Sequence, residues 1–117
     1  ARAWLKLFEE VDVVICPAAA VTPFPHAEWY VSEIDGEAMP TYMRWLSLSY
    51  APTMASACGA VLPCGVDAHG MPFGIQVLGP PGGDRHVLEV AHALEGVLAG
   101  NPATQRPLPD IAALSVK

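Results

Sequence analysis

A chain of 117 residues with a formal net charge of −6 has little electrostatic attraction for nucleic acid or for an anionic membrane surface. Hydrophobic residues make up 52% of it and charged residues 15%, while the surface of a small soluble domain usually carries about 25–35% charge. No apolar run approaches the roughly 18 residues of a membrane span, and no signal peptide opens the chain. With an odd set of cysteines, Cys16, Cys58 and Cys64, the expected setting is cytoplasmic and the expected state is reduced thiols.

In chain order, RAWLKLFEE (residues 2–10) puts Trp4, Leu5 and Phe8 at helical spacing, as at the end of an amphipathic helix. VDVVICPAA (residues 11–19) is a β-branched apolar run closed by Pro17. It predicts a strand buried on both faces, as in a parallel or mixed sheet covered by helices. Residues 20–40 contain Pro23, Pro25, Gly36 and Pro40 with no period, and predict a long connection of the functional or mobile kind.

Residues 41–59 predict a helix with Thr41 as N-cap, ended or kinked by Pro52. Tyr42, Met43, Trp45, Leu46, Leu48 and Tyr50 lie all around it, the pattern of a helix buried on several sides. Residues 59–79 predict a hairpin with strands at 60–66 and 73–79. Its turn, Asp67-Ala68-His69-Gly70, fits a type I turn with glycine in the left-handed position. Asp84 is the expected cap of a helix over residues 85–99, with Val87, Leu88, Ala91, Leu94, Val97 and Leu98 as one apolar stripe and Gly100 as its stop. Residues 101–117, with Pro102, Pro107 and Pro109, predict an extended tail after a folded part spanning 1–100. The class is α/β, a partial α/β/α layer ordered helix, strand, helix, β-hairpin, helix. It offers too few strands to cover the helix around Trp45.

Chemistry-bearing patterns are sparse. LGPPGGD follows a strand and precedes a helix, where phosphate loops sit, but Pro80 and Pro81 remove two N–H donors. Neither a Gly-Lys-Ser/Thr sequence nor GxGxxG is present, so the turn is expected to be a capped connection. The three cysteines and His26, His69, His86 and His92 show neither CxxC nor HxxxH spacing, and no metal site is expected. Ser47, Ser49, Ser56 and Ser115 lie in no nucleophile elbow. Cys64, in LPCG, is either a thiol nucleophile or, more plainly, a small buried cysteine. Gln76, polar within an apolar strand, is expected to bond a ligand or, more commonly, backbone or side-chain groups.

Taken together, VDVVICPAAAVTPFP and AVLPCGVDAHGMPFGIQVLGPPGGDRHVLEVAHALE resemble the C-terminal part of an amidase-signature hydrolase. The matching letters are Asp12 and Pro17, then Pro63, Gly65, Gly70, Pro72, Gly74, Gln76, Gly79 and Pro80, with Ala91 and Glu95 in the following helix. The likeness covers residues 4–99. Ser56 and Cys58 depart from it, standing where the family has Gly and Pro. The resemblance implies the C-terminal piece of an α/β/α amidase fold whose remainder covers the surplus apolar faces. It implies a parent that hydrolyses a small-molecule carboxylic amide through an acyl-serine intermediate, without metal or other cofactor. The family's two serines and lysine map onto no residue here, so no catalytic residue is assigned. The loop after Pro17 and the segment at Thr53 are the expected pocket lining. The implied partner is the N-terminal part of the amidase domain. The alternative is a free-standing, non-catalytic module that covers its apolar faces by self-association.

Overall fold

The computed structural model describes residues 2–114; Ser115 and the end of the predicted tail lie outside them. Helix α1 (Arg2–Leu7) leads into strand β1 (Val14–Pro17). The long connection expected after β1 contains a small hairpin, β2 (Glu33–Ile34) with β3 (Glu37–Ala38). Asp35 and Gly36 between them both have positive φ, 55° and 80°, as the Asp-Gly type I′ turn requires.

The helix expected over 41–59 is two helices, α2 (Tyr42–Trp45) and α3 (Ser47–Met54). Between them Leu46 takes φ −81° and ψ 4°, outside the helical basin. Thr41 stands at the N-cap of α2, but its side chain makes no capping bond. Pro52 neither ends nor precedes the break; it lies inside α3. Helix α3 closes in a Schellman motif, with Ala57 N donating to Pro52 O at 3.0 Å and Ser56 N to Thr53 O at 3.0 Å. Ser56 holds the left-handed position of that motif with φ 56°, the place where the resemblance implies a glycine.

β4 (Cys58–Val66) and β5 (Pro72–Gly79) form the expected hairpin, one or two residues longer on the Cys58 and Pro72 sides. Gly70 has φ 78°, and its N–H closes the turn onto Asp67 O at 3.0 Å. β1 joins the other edge of β5, so the sheet order is β1-β5-β4 and every pair is antiparallel. The expectation of a strand buried on both faces fails for β1. It is an edge strand whose residues alternate, and Ile15 is half exposed. Among the described residues neither outer edge of the sheet is paired.

Register assigns the faces. Ile15, Val77 and Ala60 lie abreast on one face; Cys16, Gln76 and Val61 lie abreast on the other. Helix α4 (Asp84–Ala99) covers the first face, where Val77, Val87 and Ala91 are buried and Val13, Ala60, Leu62, Val90 and Leu94 pack around them. Gly79 permits this approach, since a Cβ there would meet the Val87 side chain. The expected stripe of α4 is narrower than the sequence implied, because Leu88 and Val97 point outward, 63% and 71% exposed. Gly83, not Asp84, is the N-cap residue, and Asp84 begins the helix, where its charge still suits the helix dipole. Helix α3 is tied to the second face through Gln76 and Leu48, giving a partial α/β/α layer in which neither α2 nor α3 has a buried residue.

After Gly100, Asn101 and Thr104 make a turn against the end of α4, through Thr104 Oγ1 to Leu98 O at 2.9 Å. The backbone of Ala103 passes close to Gly65. Asp110 then caps a final helical turn, α5 (Ile111–Leu114), accepting from Ala112 N and Ala113 N. The chain exposes 8506 Å², against about 6,100 Å² for a compact monomer of this size. Its radius of gyration is 16.5 Å, where about 13 Å is usual for the length.

Candidate functional site

The Gly- and Pro-rich turn resolves first. Gly83 N donates to Pro80 O at 2.9 Å, and Gly82, at φ 78°, follows Pro81. That is a type II turn with proline and glycine in their preferred places. The Gly83 N–H is spent on the turn itself, and Pro80 and Pro81 have none to give, so the loop presents few of the inward donors a phosphate cradle needs. Cys58 Sγ donates to Pro80 O at 3.1 Å, which ties the turn to β4. Cys16, Cys58 and Cys64 are free and half-buried. Among the described residues no three His, Cys, Asp or Glu side chains converge.

Two concave surfaces flank the end of β1. One, about 260 Å³, is lined by Ala18, Ala19, Val21, Thr22, Phe24 and Trp45, with Phe73 and Gly74 of β5 at its side. The other, about 450 Å³, lies between α1, α3 and the sheet and is walled by Trp4, Val14, Cys16, Leu48, Pro52 and Leu78. Both are apolar. The first is framed by aromatic packing: Phe24 meets Trp45 edge-on at 5.6 Å, and Tyr42 meets Trp45 at 6.0 Å. Tyr30 packs on Tyr42 at 6.1 Å. Such pairs contribute about 0.5–1.5 kcal/mol each beyond burial, so the connection after Pro17 is tied to α2 by rings. The indole N–H groups of Trp4 and Trp45 are buried without an acceptor.

Of the residues expected to line a pocket, Pro17 ends β1 and is exposed, its carbonyl turned inward to Gln76. Thr53 lies exposed in the last turn of α3, where its carbonyl serves the Schellman motif. What joins β1 to α3 is Gln76, buried at 7% exposure. Its Nε2 donates to Pro17 O and to Leu48 O, each at 3.0 Å. Ser49 Oγ adds a bond to Ala18 O at 3.3 Å. The need for a donor at Leu48 was readable from Pro52, because a proline inside a helix leaves the carbonyl four residues earlier unpaired.

Elsewhere, Arg44 and Glu37 pair at 2.6 Å across the aromatic connection, and the paired carboxylate raises the Arg44 pKa further. Asp67 accepts from Met71 N at 2.9 Å and His69 N at 2.8 Å. The bond from Met71, ahead of that from His69, holds its carboxyl below the usual range, with partial burial opposing. Both features serve local structure.

The family model described as Amidase matches residues 1–88. A glutamyl-tRNA(Gln) amidotransferase subunit from Geotalea daltonii is 30% identical over 92 residues, 79% of this chain and 18% of the relative. The protein of the same name from Acaryochloris marina is 36% identical over 90 residues, 77% of this chain and 17% of its own length. A 2-amino-5-chloromuconic acid deaminase from Comamonas testosteroni is 29% identical over 93 residues, 80% and 20% of the two chains. The chain thus spans about a fifth of the length of the curated relatives it matches. Among the described residues, no helix is long and apolar enough to cross a membrane.

Proposed function

The chain belongs to the amidase family, and from that premise we propose that it is the C-terminal part of a hydrolase that converts a small-molecule carboxylic amide to an acid and ammonia or an amine. In this reading the acyl-serine chemistry belongs to the remainder of the domain, in the cytoplasm. This chain supplies one layer of the sheet and a wall of the acyl pocket, formed by the residues after Pro17 with Thr53 nearby. The amidase-like part is residues 1–100, and the Pro-rich stretch 101–117 follows it, its described part turning against α4 and β4 and not running out extended.

The observation that carries the reading is the surplus of uncovered surface. About 2,400 Å² lies beyond the compact expectation, and large apolar side chains such as Trp29, Met54 and Val61 stand exposed. A covering portion of the domain supplies the apolar contact that this surplus lacks. The unpaired sheet edges favour a second reading, a non-catalytic module that covers itself with its own copies.

The test is an assay against a panel of aliphatic and aromatic amides, with the chain alone and co-expressed with the N-terminal four-fifths of a relative. Turnover only in the combination is the expected result. Turnover by the chain alone that vanishes in Cys64→Ala overturns the reading in favour of a thiol nucleophile.

A further inference from the structure

Residue 52 of a regular helix would donate its N–H to the Leu48 carbonyl, and Pro52 has no N–H to give. The Leu48 carbonyl faces the sheet, where Gln76 reaches it at 3.0 Å. The second hydrogen of the same NH2 group goes to Pro17 O at 3.0 Å. Both partners are carbonyls, so the nitrogen end of the amide must face them. One side chain on β5 therefore bridges the end of β1 to the interior of α3. The wall of the smaller groove begins at the next residue, Ala18. Its N–H is held by Gly74 O at 2.9 Å and its carbonyl by Ser49 Oγ.

We propose that Gln76 is a positioning residue, with Pro52 as its matched half, that sets where the chain after Pro17 stands relative to α3 and so shapes the groove of Phe24 and Trp45. The groove's part in substrate binding rests on the function proposed above; the bridge itself does not. A leucine at 76 fills similar space but leaves two inward-facing carbonyls without their donor, so bridging and space-filling separate by experiment.

The experiment is NMR hydrogen exchange with thermal melting on the full chain. Both Gln76 side-chain amide protons should be resolved and exchange about tenfold or more slowly than a free amide. Gln76→Leu should lower the melting midpoint and speed exchange of the Ala18 amide about tenfold relative to Val77. Adding Pro52→Ala returns a helical donor to Leu48, so the midpoint should recover by half or more while Ala18 stays fast, because Pro17 remains untied. A midpoint that does not recover overturns the pairing of Gln76 with Pro52. Ala18 exchange that slows together with the midpoint overturns the positioning role. If Gln76→Leu does not fold, Pro52→Ala alone decides: it should release one Gln76 amide proton to exchange, and unchanged protection of both refutes the bridge. None of these readouts involves amide turnover, so they stand or fall separately from the proposed hydrolase.

Discussion

The two faces of the sheet are finished to different degrees. On the α4 side, Val77, Val87 and Ala91 close a small dry core around which Leu94 and Leu62 pack. On the α3 side, contact with β1 and β5 depends on polar ties through Gln76 and Ser49, edge-to-face rings hold the following connection to α2, and two grooves remain open. Tyr42 and Tyr50 are 44% and 39% exposed. A face held by directed bonds can keep a defined shape while still lacking cover, whereas a face held by apolar contact exists only where the cover is present. This chain shows both conditions across one layer of β-structure.

The largest expected effect breaks the finished face. Leu94→Asp puts an unpaired carboxylate against the core and should cost about 3 kcal/mol or more, while Val97→Asp on the outward side of the same helix should stay within about 0.5 kcal/mol. Thermal melts of the two variants that shift alike would show that the helix has no inward side. Next is Gly70→Val in the hairpin that both faces share. Nothing lies within 4 Å of a Cβ at Gly70, so the expected loss of about 1–2 kcal/mol is backbone strain alone. Gly70→Ala should recover part of it, since only the β-branch is removed.

On the unfinished face, Ser56→Gly should stabilise. The left-handed φ of Ser56 costs a non-glycine residue more than glycine loses in unfolded-state entropy, and the net gain should be about 0.5–1 kcal/mol by denaturant melts. A loss would mean that the serine side chain contributes something its backbone position does not show. The smallest effect is one of pH. The folded state holds the Asp67 carboxyl below its ordinary range, so its stabilisation is full above the unfolded pKa and fades as pH falls through the depressed folded value. Asp67→Asn should flatten the acid limb of the stability curve, and an unchanged limb would assign acid lability to other groups.

What was legible follows from how local each signal is. The turn at Asp67–Gly70 and the start and stop of α4 depend on neighbouring residues, and they were readable to within a residue. Asp35-Gly36 was equally local, but its strands are two residues each and carry no apolar alternation to draw attention to them. The burial of β1 was not legible, because VDVVICP has the same letters whether helices cover both faces or one edge lies open. Leu88 and Val97 fit a helical stripe by spacing, yet the three-stranded sheet is too narrow to reach them. The residues expected to line a pocket, neither of which lines the two grooves beside β1, were the least legible. Pro17 and Thr53 act mainly through their carbonyls, and a carbonyl has no letter in a sequence.

The free edge of β4 has a consequence for the chain's lifetime in a test tube. It runs nine residues without a charged side chain, with Val61 65% exposed beside the uncovered end of the second face. Edges of this kind are ordinarily guarded by lysine, proline at an outward position, or a covering loop; the proline of this strand, Pro63, lies toward the hairpin turn and leaves the Cys58 end unguarded. At high concentration the nearest extended segment is another β4. Loss to fibrous or amorphous precipitate should therefore rise more steeply than in proportion to concentration, and any bound strand that occupied the edge would act as a solubiliser before it acted as anything else.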